Sequence, residues 1–127
     1  MNCFNEFDNG KLYIDNLEEY IKDKEWHPHS TFSGVFLKHL ITGDDTEKKI
    51  SCHLVKIEAG CEIGYHTHET QLELHEIVEG KGICQIDTQS IDYYPGVITK
   101  IDKKINHRVV AGENDLYLFA KFIPALL

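Results

Sequence analysis

His66 and His68 flank Thr67, and Glu73 follows five positions after the second histidine. In an extended strand, residues two apart project from the same face, so the two imidazoles stand side by side. Glu73 has the opposite parity. The strand must therefore be interrupted by a turn or bulge between His68 and Gln71, which resets the register. On the strand that follows, Glu73, His75 and Ile77 share a face. Two imidazoles and a carboxylate brought together suit a borderline divalent cation. A His-x-His pair on a solvated strand is also common without any ion. The added carboxylate, and the glycines Gly60 and Gly80 that bracket the set, raise the metal reading above that ordinary one.

A second stretch starts at Pro95-Gly96. It runs through Val97–Ile101, crosses the polar residues 102–106, and reaches His107-Arg108-Val109-Val110. This pattern is a strand, a turn, and a histidine opening the next strand. Together the two stretches resemble the cupin superfamily. Its first motif, G-x5-H-x-H-x4-E-x6-G, is matched at every fixed place by Gly60, His66, His68, Glu73 and Gly80. Its second, G-x5-P-x-G-x2-H-x3-N, is matched by Gly96 and His107, while Asp102, Lys104 and Ala111 replace the proline, glycine and asparagine. The resemblance covers roughly residues 34–123. It implies that His66, His68, Glu73 and His107 hold one divalent transition metal ion per chain.

Three histidines and one carboxylate form a mixed nitrogen and oxygen set. It suits Fe, Mn, Ni, Co, Cu or Zn better than Mg or Ca, which prefer more oxygen. Four protein ligands on an octahedral ion leave about two positions for water or substrate, as expected of a catalytic or ligand-binding ion. His75, two residues after Glu73 on the same face, is the candidate catalytic residue outside the four. It would orient Glu73 or substrate, or act as a general base. Gln71 shares that parity, whereas Tyr65 and Thr67 should face away. Cys61 stands beside the motif strand without a firm role.

The elements that position these residues read as β structure from Gly34 onward. Val35–Ile41 and Ile50–Glu58 are strand-like runs joined by Gly-Asp-Asp-Thr-Glu, which predicts a hairpin. In the second run His53 should look inward with Val55 and Ile57, while Cys52, Leu54 and Lys56 reach solvent or an edge. His39 and His53 are read as hydrogen-bonded barrel histidines. Leu116–Ile123 is apolar on both faces apart from Lys121 and needs cover on both sides, for which a second subunit is one source. Seven or eight short strands between Gly, Pro, Asn and Asp turns predict an all-β fold, an antiparallel jelly-roll (cupin) barrel.

Residues 1–33 read as an N-terminal arm with a short helix, and residues 34–127 as the barrel. Asp15 and Glu18 have the positions of a helix cap, and Leu17, Tyr20 and Ile21 form an i, i+3, i+4 stripe. Pro28 ends that helix and denies His27 and His29 a regular strand, so both are read as surface or loop residues.

The net charge is −8, from 21 acidic and 13 basic residues, with no basic stripe. Nucleic acid and anionic membrane are therefore not expected partners. No C-x-x-C pair occurs among Cys3, Cys52, Cys61 and Cys84, and no apolar run approaches the ~20 residues of a spanning helix. A cytoplasmic protein with reduced thiols is expected, as a homodimer. The leading functional expectation is a metal-dependent enzyme of dioxygenase, isomerase or lyase type acting on a small molecule. The alternative is a cupin that binds or senses a small ligand without turnover.

Overall fold

The structure is a computed structural model that describes residues 3–127. A helix α1 (Cys3–Asp8) is followed by the hairpin β1 (Lys11–Ile14) and β2 (Leu17–Tyr20), then by the two-residue strand β3 (His27–Pro28). Two strands, β4 (Val35–Ile41) and β5 (Ser51–Ile57), flank the single turn α2 (Gly43–Thr46). The remaining strands are β6 (Glu62–His66), β7 (Leu72–Glu79), β8 (Gly82–Ile86), β9 (Gln89–Tyr93), β10 (Ile98–Ile101), β11 (His107–Ala111) and β12 (Leu116–Ile123).

The strands form a six-stranded sheet in the order β10-β7-β12-β5-β4-β3 and a four-stranded sheet in the order β6-β11-β8-β9, every pair antiparallel. Their inner faces share one apolar core. Val55, Ile57, Ile77 and Leu118 come from the larger sheet, and Cys84, Tyr93, Val109 and Ala111 from the smaller. This is the expected jelly roll.

The N-terminal arm departs from the expectation. A short helix is present, but it is Cys3–Asp8, and the segment expected to be helical after Asp15 is strand. Asp15 and Asn16 form the two-residue link of the β1–β2 hairpin, Ile14 pairs with Leu17, and Asp15 has a left-handed φ of 54°. Aspartate and asparagine serve turns as readily as caps, and a ten-residue helix is marginal on its own. Strand pairing, with a Lys11–Glu18 ion pair at 2.8 Å, prevails over the helical period. Leu17 and Tyr20, expected on a buried stripe, are instead exposed. Pro28, expected to exclude strand, sits in β3 at the sheet edge, where a missing N–H costs nothing.

The arm also supplies cover for β12, for which a second subunit is one candidate source. Phe4 stacks on Tyr117 at 3.7 Å and Phe7 meets Phe119 edge-on at 4.8 Å, so α1 lies over the outer face of β12. Leu54, expected on an outward face with Lys56, is 0% exposed because it joins Ile21 and Leu40 in a second apolar cluster beneath the arm. Lys38 is buried there too. Its ammonium meets Asp8 and the Ile21 carbonyl, both at 3.1 Å, and lies over the Trp26 ring. Among the described residues no helix is long and apolar enough to cross a membrane.

Candidate metal centre

Four elements converge between the sheets. His66 is the last residue of β6 and His107 the first of β11, and the two are direct cross-strand partners. His68 lies in the loop beyond β6, which carries the chain from the smaller sheet to the larger. Glu73 is the second residue of β7. The parity change between His68 and Glu73 is therefore made by a crossing between sheets, not by a bulge in one strand. One ligand atom from each of His66, His68, Glu73 and His107 lies within 4.8 Å of the others.

The turn before His107 holds its shape despite its substitutions. Lys104, which stands where the cupin motif has glycine, has a φ of 67°. Its N–H donates to the carbonyl of His68 at 2.8 Å, tying the His68 loop to the His107 turn. Left-handed geometry costs a non-glycine residue roughly 1–2 kcal/mol, and this bond helps to hold it. Gly80 is needed as glycine: its φ is 87° and a Cβ would strike the Asp115 backbone.

Backbone carbonyls set the imidazole tautomers. His66 Nδ1–H donates to the Gly64 carbonyl at 2.7 Å, and His107 Nδ1–H donates to the Ile105 carbonyl at 2.9 Å. A carbonyl can only accept, so Nε2 of each ring is free to ligate. Glu73 Oε1 lies 3.1 Å from His107 Nε2 and 3.5 Å from His68 Nε2. With neutral rings, lone pairs face one another in a site where Glu73 and His107 are almost fully buried. A divalent cation resolves that clash, and the residues fit one. Burial holds the His66 and His68 imidazoles below their ordinary pKa, which favours the neutral, ligating form. Burial alone would raise the Glu73 carboxyl, but the neighbouring His75, by its charge and its hydrogen bond, outweighs it and holds it below the usual carboxylate range.

His75 does not stand free. Its Nε2 is 2.8 Å from Glu73 Oε2, and its Nδ1 is 2.8 Å from the Tyr93 hydroxyl. Both nitrogens are thus occupied, and one carboxylate oxygen is left to the ligand cluster. Burial disfavours a charge on His75, but the Glu73 carboxylate overrides this and raises its pKa. Nothing in the sequence marks Tyr93 for a role. Only its pairing across the β8–β9 hairpin and its burial bring it to His75.

His66, His68 and Glu73 open on a cavity of about 70 Å³, walled by Val35, Leu37, Val55, Leu118 and Phe122, and also lined by His29 and His75. A larger groove of about 470 Å³ between the arm and the outer sheet face holds no comparable ligand cluster among the described residues. Other candidates lie elsewhere. Cys61 packs against Gly34, and Gln71 is half-buried without lining the cavity. Tyr65 and Thr67 are exposed, as their parity requires. His27 is exposed, but His29 reaches the cavity, which its loop position in the sequence did not reveal.

Comparison with known proteins agrees with this architecture. The Cupin domain family matches residues 53–120. No functionally curated protein gives a significant sequence match. Among solved structures, a predicted oxalate decarboxylase from Thermotoga maritima is 22% identical with a TM-score of 0.75, covering 81% of this chain and 95% of that one. KdgF from Halomonas sp. is 19% identical with a TM-score of 0.71, covering 81% and 90%. Ectoine synthase from P. lautus is 21% identical with a TM-score of 0.68, covering 83% and 71%. At these identities the likeness establishes the fold and leaves the reaction open. With the family match spanning more than half of its length and the motif residues gathered between two jelly-roll sheets, the chain belongs to the cupin family.

Proposed function

We propose that this cupin is a metal-dependent enzyme acting on a small organic molecule, with one divalent transition metal ion held by His66, His68, Glu73 and His107. The observation that carries this reading is the convergence of their four ligand atoms within 4.8 Å at a cavity with otherwise mostly apolar walls. A bound ion would supply Lewis acidity or a site for O₂ chemistry. The chain's own residues do the rest. The Gly64 and Ile105 carbonyls fix the rings of His66 and His107, and the apolar walls exclude water. His75 is a positioning residue: held by Tyr93, it occupies one oxygen of Glu73 and presents the other. Because both its nitrogens are engaged, it is poorly placed as the general base.

That last feature also favours the competing reading, a cupin that binds or senses a small ligand without turnover. Among the described residues that line the cavity, the acid–base groups beside the ligand cluster are His75, whose nitrogens are both engaged, and His29. Turnover decides between the two readings. Protein purified without oxygen should carry about one transition metal ion per chain. It should then consume O₂ or convert substrate in a screen of small carbonyl compounds and acids. Metal uptake and ligand binding without any conversion would favour the sensing role. Absence of metal, or content unchanged in His66→Ala, would remove the centre from both readings. A cytoplasmic homodimer remains our expectation. Exposed Tyr13, Leu17 and Tyr20 on the β1–β2 hairpin offer an apolar contact surface, and light scattering showing only monomer would refute it.

A further inference from the structure

The cavity is chemically lopsided. Apart from the ligand cluster and His75, its polar side chain is His29, and among the described residues no Lys or Arg lines it. His29 Nδ1 accepts the backbone N–H groups of Thr31 at 3.0 Å and Phe32 at 3.2 Å. A nitrogen that accepts twice carries no proton, so the ring hydrogen is on Nε2. Among the described residues that N–H has no partner. Phe32 pins the segment in place. Its ring packs on His29 at 5.0 Å and lies 6.2 Å from that of His66. Gly64 makes room for it, since a Cβ there would come within 2.8 Å of the Phe32 ring.

We infer that this cavity selects a small molecule with an apolar body, one anionic or carbonyl oxygen for the ion, and a second, uncharged acceptor for the Nε2–H of His29. This rests on the metal reading above. One anionic oxygen can ligate the ion directly. A second charge out of reach of the ion would meet aliphatic walls and a single neutral donor. Desolvating an ionised carboxylate on those terms costs several kcal/mol. A space of about 70 Å³ also falls well below the ~300–1,000 Å³ of sites for drug-sized ligands, so the body is only a few atoms long.

The test uses Co(II)-loaded protein, whose visible absorption reports both ligation and ligand entry. Two probes match in shape and number of non-hydrogen atoms: 4-oxopentanoate, with one charge and a ketone, and succinate, with two charges. The ketone acid should bind at least about tenfold more tightly. His29→Asn keeps an oxygen to accept the two turn N–H groups, while its shorter amide no longer places an N–H where Nε2–H stands. It should weaken 4-oxopentanoate about five- to tenfold, with the Co(II) spectrum of the unliganded protein unchanged. Equal or tighter binding of succinate, binding of neither probe, or unaltered 4-oxopentanoate affinity in a folded His29→Asn overturns the inference. The succinate comparison on unmutated protein stands even if the variant fails to fold. Failure to take up Co(II), or a spectrum that survives His66→Ala, sinks the metal reading itself, which separates the two failures.

Discussion

Two groups of histidines lie on either side of the Phe122 ring. His68 meets that ring edge-on at 5.0 Å, and His53 meets it at 5.7 Å. On the first side, His66 and His107 spend Nδ1 on backbone carbonyls and leave Nε2 pointing with His68 at one oxygen of Glu73. On the second, both nitrogens of His53 are taken. His53 Nδ1 is 2.8 Å from His39 Nδ1, and His53 Nε2 is 2.9 Å from the Ser51 hydroxyl, which accepts the Leu126 N–H. His27 stacks on His39 to close the group. Both sides contain buried imidazoles. What separates a ligand set from a structural one is whether the nitrogens face a shared vacancy beside a carboxylate or face each other's partners.

The contrast breaks most directly in paired variants. His66→Ala should lower metal affinity by more than the ~10–100-fold typical of losing a supporting residue, while His53→Ala should keep about one ion per chain by elemental analysis. Loss of metal in both would mean that the two groups are one unit. The same difference appears with pH. Burial holds His66 and His68 below the ordinary histidine pKa, so metal should stay bound as pH falls past about 6.5 and be released through roughly 6 to 5. Metal content insensitive to acid would contradict a histidine cage.

The closed group should register in stability instead. Burial pushes the His53 pKa down to about 4 from 6.5. Between those values the unfolded chain takes up a proton that the folded chain refuses. Its contribution is complete above about pH 6.5 and lost as pH falls towards 4, about 3 kcal/mol in all. Chemical denaturation of metal-free protein from pH 7 to 4 measures it. His53→Gln should flatten that slope, and an unchanged slope would assign it to other groups.

Smaller effects sharpen the picture. Tyr93→Phe removes the hydroxyl that holds His75, and metal affinity should drop about tenfold with little loss of thermal stability. A larger loss of stability than of affinity would make Tyr93 a packing residue only. Smallest of all, Lys104→Gly should raise stability by up to ~1 kcal/mol, because glycine adopts the left-handed turn before His107 without strain. Destabilisation would mean that the lysine side chain itself supports the turn.

Much of the barrel was legible because its signals are local. The hairpin of β4 and β5, the turn at Pro95-Gly96 and the alternation around His66 all follow from residues a few positions apart. The arm misled because Asp15-Asn16 suits a cap and a turn equally, and only pairing between Lys11–Ile14 and Leu17–Tyr20 decides. The outward face of β5 misled for a related reason: its cover, Ile21, comes from a segment more than thirty residues away.

By itself the sequence determined the spacing of the ligand residues, the period of the strands and the glycines at forced turns such as Gly80. Each depends on backbone geometry within one short segment. Tertiary structure alone decided that β6 and β7 belong to different sheets, that Tyr93 reaches His75, and that His29 lies over the cavity while His53 is sealed beyond Phe122. Those outcomes rest on contacts between residues far apart in the chain, which exist only once the sheets have packed.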